Sequence, residues 1–120
     1  MSVRLAKPWR PLDAASLASV PATVGVYEIA DERGVVADIG FAGGRSLFGL
    51  RGELSRWLAG DGHWQFRCEV TSQYLSRYTE LLMVHVADHG SLPERVARRG
   101  EHPAGRLSPQ GAPARPDALT

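Results

Sequence analysis

The feature that most constrains the fold is a pair of extended stretches separated by a short turn. Residues 24–30 alternate between two faces, with Tyr27 and Ile29 together on one of them, and this period of two is typical of a strand. The next four residues supply turn chemistry, because Gly34 readily takes a positive φ. An extended pattern resumes over residues 35–40. The sequence therefore predicts a β-hairpin.

Two helices and a third strand are predicted after the hairpin. A glycine-rich loop leads to Ser46, which is a good N-cap for the first helix. The apolar positions of that helix recur at intervals of three and four residues: Leu47, Leu50, Leu54, Trp57 and Leu58. Residues 64–70 alternate as a strand does. The second helix is expected to begin at Thr71 and to end near His89, because Gly90 follows.

The order strand, strand, helix, strand, helix predicts an α+β fold with a small three-stranded antiparallel sheet flanked by helices. A chain of 120 residues is long enough to bury one hydrophobic core but not two of ordinary size. We expect an N-terminal segment at residues 1–22 and one domain at residues 23–99, closed by a short final helix. Residues 100–120 are rich in Pro, Gly and Ala and are predicted to be disordered.

Composition and charge narrow the class of protein. Apolar residues make up 43% and charged residues 22% of the chain, which is ordinary for a globular domain. No apolar run approaches the roughly 20 residues that span a bilayer, and the N-terminus lacks a signal-like apolar run. A cytoplasmic location without membrane contact is expected. The formal net charge of +1 neither requires nor excludes a nucleic-acid partner.

Two tripeptides on the predicted hairpin resemble a known family. The first strand carries Gly25-Val26-Tyr27, and Asp38-Ile39-Gly40 begins eleven residues after Tyr27. This pair is similar to the motifs of the GIY-YIG nuclease superfamily, which lie on adjacent antiparallel strands at about this spacing. The predicted order of strands and helices also matches the family core. The resemblance covers roughly residues 21–93 and implies hydrolysis of nucleic-acid phosphodiesters with a divalent metal, Mg²⁺ or alternatively Mn²⁺.

The resemblance also implies roles for individual residues. Tyr27 matches the first motif tyrosine, whose phenol can hydrogen-bond the attacking water or relay its proton. Arg51, on the first helix, would clamp a phosphate oxygen and offset charge on the transferring group. It lies about one helical turn later than in a typical member, so Arg45 in the preceding loop is the substitute candidate. Arg56 would help to bind the substrate.

Glu80 is the predicted metal ligand. Counting from the start of the second helix at Thr71 aligns Glu80 with the family glutamate, and its oxygen ligands suit Mg²⁺. Counting back from Pro93 instead places His85 near that position. His85 and His89 lie one helical turn apart and can bind a softer metal than magnesium.

Asp38 occupies the position of the second motif tyrosine, and a carboxylate cannot donate the phenol's hydrogen bond at neutral pH. Three interpretations are open. Asp38 is a second catalytic metal ligand beside Glu80, it is a surface residue of an inactive relative, or Tyr74 or Tyr78 supplies the missing phenol.

Two main functions follow from these residues. The chain is either a metal-dependent nuclease with an altered active site or a noncatalytic module that binds nucleic acid or a protein partner. An accessory domain that acts beside a larger enzyme is a third option. Trp57, Trp64 and Phe66 are either core residues or a surface on which single-stranded bases stack.

Overall fold

The computed structural model describes residues 4–60 and 62–100. In chain order the elements are β1 (Arg10–Pro11), α1 (Ala14–Leu17), β2 (Gly25–Ala30), β3 (Val36–Ala42), α2 (Gly49–Ser55), β4 (Gln65–Val70), α3 (Tyr74–His89) and α4 (Glu94–Arg98). A 3-10 turn, Arg56–Ala59, extends α2. Among these helices none is long and apolar enough to cross a membrane. The predicted disordered tail lies outside the described residues, apart from Gly100.

The α+β class and the predicted order of the central elements are confirmed, but the sheet has four strands and not three. Its strand order is β1-β4-β2-β3, with antiparallel pairing throughout. The additional strand comes from the N-terminal segment, where Arg10 pairs with Phe66 and Pro11 with Gln65. A strand of two residues has no periodicity to detect. Its proline also signals against a strand, although proline is tolerated at a sheet edge.

The predicted hairpin is present as β2 and β3. Tyr27 lies opposite Gly40, and Ile29 lies opposite Asp38. Gly34 takes the expected positive φ, at 87°. Asp31 stabilises the turn, because its Oδ1 accepts hydrogen bonds from the backbone of Arg33 and Val35 at 2.8 and 3.0 Å.

The sheet separates two apolar clusters, because successive strand residues point to opposite faces. The first face is covered by α1 and α2, and its buried members include Leu17, Val20, Tyr27, Ile29, Leu50, Leu54 and Phe66. The second face is covered by α3 and α4, and its buried members are Leu5, Val26, Ile39, Tyr78, Leu81, Leu82 and Val96. Tyr27 and the body of α3 therefore lie on opposite sides of the sheet.

Trp57 and Trp64 are partly buried at the margin of the core of the first face. Both pack against its buried cluster, and their rings meet edge to face with centroids 5.1 Å apart. The Arg95 guanidinium lies 4.7 Å from the Trp57 ring centre and 5.5 Å from the Trp64 ring centre. Of the two interpretations of these aromatics, the structure supports core packing.

The starts of the two main helices differ from the prediction. Ser46 is not the N-cap of α2, since its Oγ accepts a hydrogen bond from the Gly43 amide at 2.9 Å and closes the loop. The helix begins three residues later, at Gly49. Thr71 likewise accepts a hydrogen bond from Gln73 in the turn before α3. In both cases the hydroxyl oxygen accepts a hydrogen bond from a nearby loop amide, and so it does not cap the first turn of the helix.

Candidate functional site

A cleft of about 280 Å³ lies at the β3 edge of the sheet, where side chains from both faces meet. We call it the edge cleft. Its polar and aromatic lining consists of Tyr27, Asp38, Glu53, Arg56, Tyr78 and Arg99. Three residues predicted from the sequence, Tyr27, Asp38 and Arg56, are therefore brought together here, with Tyr78 as a second phenol.

Tyr27 is buried in the edge cleft and lies against Gly40 of the neighbouring strand. A Cβ atom added at Gly40 would be 2.3 Å from the Tyr27 hydroxyl oxygen, so only glycine leaves room for this ring. Burial raises the pKa of Tyr27, and the negative charges of Asp38 and Glu53 raise it further. At neutral pH the phenol keeps its proton, so it can donate a hydrogen bond but is a poor base.

Tyr27 is expected to make the protein lose stability in alkaline solution. Because its pKa is higher in the folded than in the unfolded chain, its contribution is fully present below about pH 10 and is lost as the pH rises further. Tyr27→Phe removes this titration. Chemical denaturation at about pH 8 and about pH 11 should show a smaller fall in unfolding free energy for Tyr27→Phe than for wild type or for Tyr74→Phe. An equal fall in all three proteins would contradict the assignment.

Asp38 is buried and paired with Arg99. The Asp38 side chain is only 5% exposed, and its Oδ1 accepts a hydrogen bond from the Arg99 guanidinium at 2.9 Å. The same guanidinium nitrogen lies 3.3 Å from the backbone oxygen of Ile39. The interpretation of Asp38 as a surface residue is therefore wrong. Its observed partner is an arginine at the end of α4, and not a metal site shared with Glu80.

Glu80 does not reach the edge cleft. Its carboxylate pairs with Arg77, and Arg77 also binds Glu69 of β4 at 3.0 Å. The β4 strand lies on the far side of β2 from β3, and α3 covers the face opposite Tyr27. Within residues 4–60 and 62–100, no group of three or more His, Cys, Asp or Glu side chains is placed to hold a metal ion. The carboxylate set that Mg²⁺ or Mn²⁺ prefers is thus not assembled around Glu80.

A larger groove of about 920 Å³ adjoins the edge cleft, and Arg56 lines both. It runs between the loop after β3, the exposed side of α2 and the start of α3. We call it the arginine groove and define it by Arg45, Leu47, Phe48, Arg51, Arg56, Tyr74 and Leu75. All three predicted arginines therefore lie in one groove.

The loop of the arginine groove is anchored on Tyr74. A Cβ atom at Gly43 would be 3.0 Å from the Tyr74 ring, and the Gly44 amide donates to the Tyr74 hydroxyl at 3.3 Å. Phe41 stacks on the same ring, with centroids 5.7 Å apart. Two consecutive glycines let the backbone approach this aromatic base closely.

Phe48 is the most unusual residue of the groove. Its φ of 63° makes it the one non-glycine residue with positive φ in the part of the chain that the structure describes. This conformation costs about 1–2 kcal/mol for a residue with a Cβ. The side chain is nonetheless 66% exposed, beside Leu47 at 75%, so burial does not offset the cost. Strain combined with an exposed aromatic ring points to a binding role.

Sequence reasoning missed Phe48. The apolar periodicity predicts that Leu47 is on the buried face of α2, but Leu47 is exposed, and Phe48 falls outside that pattern. The available signal was an aromatic residue next to a glycine-rich loop that also carries arginine.

The arginine groove is lined by three guanidinium groups and by one carboxylate, that of Glu53, so its formal charge is positive. Arg51 is held in place because its Nε donates to the Val20 carbonyl at 2.8 Å. No carboxylate of the described residues forms an ion pair with Arg45 or Arg51. Arg56 pairs with Glu53 at 3.2 Å, but its side chain is 77% exposed. The groove therefore offers guanidinium groups to an anionic ligand.

Comparison of the chain with known proteins identifies its family, but the function of that family is unknown. No curated protein matches the chain, and no solved structure matches it. One family model, described as a domain of unknown function (DUF7508), matches residues 3–88. This range contains every residue of the arginine groove and ends before α4. The chain therefore belongs to the DUF7508 family, a domain of unknown function.

Proposed function

We propose that the chain is a GIY-YIG-like module that binds single-stranded nucleic acid in the arginine groove without hydrolysing it. The observation that carries the proposal is Phe48, an exposed aromatic ring held by strained backbone between Arg45 and Arg51. Proteins that bind single strands combine aromatic platforms for the bases with cationic side chains for the backbone. The paired tripeptides of β2 and β3 support the same assignment.

Three features of the predicted catalytic set favour binding over hydrolysis. Tyr27 is buried and its pKa is raised, so it does not readily accept a proton from water. Asp38 is held by Arg99 in place of the second motif tyrosine. Glu80 pairs with Arg77 on the other face of the sheet. The raised pKa limits Tyr27 to hydrogen bonding, and the ion pairs of Asp38 and Glu80 occupy the carboxylates that would otherwise hold a metal.

The groove suits a single strand better than a duplex. The Phe48 ring can stack only on a base that is free of its neighbours, as in single strands and loops. Leu47 and Leu75 are 75% and 51% exposed and place apolar surface beside that ring. If each of the three arginines neutralises one phosphate, a single strand should give a slope of about −0.7 per contact. A plot of the logarithm of the binding constant against the logarithm of salt concentration should therefore have a slope of about −2.

Replacing Phe48 with asparagine is expected to weaken binding without unfolding the protein. Asparagine tolerates positive φ better than phenylalanine and is a good N-cap, so the variant should be at least as stable as wild type. Loss of one stacked base costs about 1–3 kcal/mol, which corresponds to roughly 5- to 150-fold weaker binding. Fluorescence anisotropy with labelled oligothymidine and oligouridine measures the affinity, and thermal unfolding measures the stability.

Two control variants separate the groove from the general surface. Val35→Asn removes an exposed apolar side chain from the hairpin turn, and it should bind as wild type does. Arg45→Gln should weaken binding and reduce the steepness of the salt dependence by about 0.7. Arg33→Gln, on the hairpin, should leave the salt dependence unchanged. Undetectable binding by wild type at low salt, or equal loss in Val35→Asn and Phe48→Asn, would reject the groove as a nucleic-acid site and favour a protein partner.

A further inference from the structure

The last turns of α3 carry two histidines on one face, far from the arginine groove. His85 and His89 are four residues apart, a spacing that places side chains one above the other on a helix. Their ring centroids are 4.4 Å apart and their planes are tilted by 34°. Tyr74, at the opposite end of the same helix, is separated from them by roughly 16 Å or more of helix length.

We infer that His85 and His89 together bind a divalent transition-metal ion that prefers nitrogen ligands, with Cu²⁺ and Ni²⁺ as the best candidates. A metal–nitrogen bond of about 2.0–2.1 Å puts each imidazole centre roughly 3.2 Å from the ion. When one nitrogen of each ring points at the same ion, a right angle at the ion puts the ring centres roughly 4.5 Å apart and a tetrahedral angle puts them roughly 5.2 Å apart. The observed spacing of 4.4 Å is closer to the right-angle value, and a right angle is the one that square-planar and octahedral ions require.

The surroundings leave room for an ion and its other ligands. Both histidines line an open cavity of about 640 Å³ between the hairpin turn and the connection from α3 to α4. Ser91 and Glu94 lie on the same cavity wall. The nearby Asp88 is paired with Arg4, and Glu94 is paired with Arg98. Because the described residues hold no cluster of three potential ligands, water completes the coordination of a two-histidine site.

The position at the end of α3 favours a cation. The helix ends at His89, with Gly90 as its C-cap, and the C-terminal end of a helix carries a partial negative charge from its carbonyl groups. The pair is also pre-arranged by the helix, so little conformational freedom is lost when the ion binds. The histidine site shares no lining residue with the arginine groove, so the two proposals can be tested separately.

The test is a metal titration of full-length protein without an affinity tag. Isothermal titration with CuSO₄ and with NiSO₄ should show one ion per chain, and the bound Cu²⁺ should have the electron paramagnetic resonance signature of two nitrogen ligands. His85→Gln and His89→Gln should each weaken binding about tenfold or more. The chain has four histidines, so His63→Gln and His102→Gln serve as matched controls and should bind as wild type does.

Several results would overturn the inference. These are the absence of binding by wild type at about millimolar metal, unchanged affinity in both His85→Gln and His89→Gln, or loss of affinity in the control variants. Circular dichroism establishes that each variant is folded before titration. His89 is exposed, so His89→Gln keeps the test decisive even if His85→Gln is unstable.

Discussion

Gly49→Ala is expected to lower the free energy of unfolding by about 3–5 kcal/mol or to prevent folding. Gly49 opens α2 with a φ of 57°, and a Cβ there would be 2.3 Å from the Thr23 nitrogen and 2.5 Å from the Thr23 oxygen. These are backbone atoms, and Thr23 also accepts a hydrogen bond from Leu50 at 2.8 Å, so the contact cannot relax by a rotamer change. Urea denaturation followed by circular dichroism measures the loss.

Gly34→Ala is the matched control for this prediction. Gly34 also has positive φ, at 87°, but a Cβ there meets nothing within 4 Å. Its loss should be only about 1 kcal/mol, which is the conformational cost alone. The difference between the two variants therefore measures the close approach of α2 to the segment before β2. Equal losses at the two glycines would show that this approach is looser than described.

Arg99→Ala is expected to cost about 2–3 kcal/mol, because it leaves the Asp38 carboxylate buried without its partner. The Asp38 side chain is 5% exposed and that of Arg99 is 43% exposed, which places the cost below that of a fully buried pair. The double variant Asp38→Asn with Arg99→Ala should regain part of the loss, since a neutral amide is cheaper to bury than a lone charge. Chemical denaturation of the complete double-mutant cycle gives the coupling energy.

Arg98→Ala controls for the removal of any arginine from α4. Arg98 pairs with Glu94, but the two side chains are 65% and 72% exposed. Such a surface pair contributes at most about 0.5 kcal/mol. If Arg99→Ala were as mild as Arg98→Ala, the burial of Asp38 would not depend on Arg99.

Local patterns in the sequence are sufficient to predict the central strands and helices of the fold. The alternation of β2 and the glycine of the turn predict the hairpin, and Gly90 predicts the end of α3, because each depends on residues within a few positions. The short strand Arg10–Pro11 forms only through pairing with residues more than fifty positions away. No local signal reports such pairing.

The candidate site could be predicted only in part, for a similar reason. Tyr27, Asp38 and Arg56 do meet, and Arg45 and Arg51 share the neighbouring groove. The partner of Asp38 lies 61 residues further along the chain, beyond any motif spacing. Helical register places Glu80 beside Arg77, three residues earlier, but it does not show that α3 covers the face of the sheet opposite Tyr27.

The central claim is that the groove binds a single strand that the altered catalytic set does not cut. The most direct test saturates a fluorescently labelled oligonucleotide with protein in the presence of Mg²⁺ or Mn²⁺, follows anisotropy, and then separates the same sample by denaturing electrophoresis. We predict saturable, salt-dependent binding that Phe48→Asn weakens, with the labelled strand intact. The claim would be contradicted if wild type produced metal-dependent fragments that Glu80→Ala did not produce. It would also be contradicted if wild type did not bind the oligonucleotide.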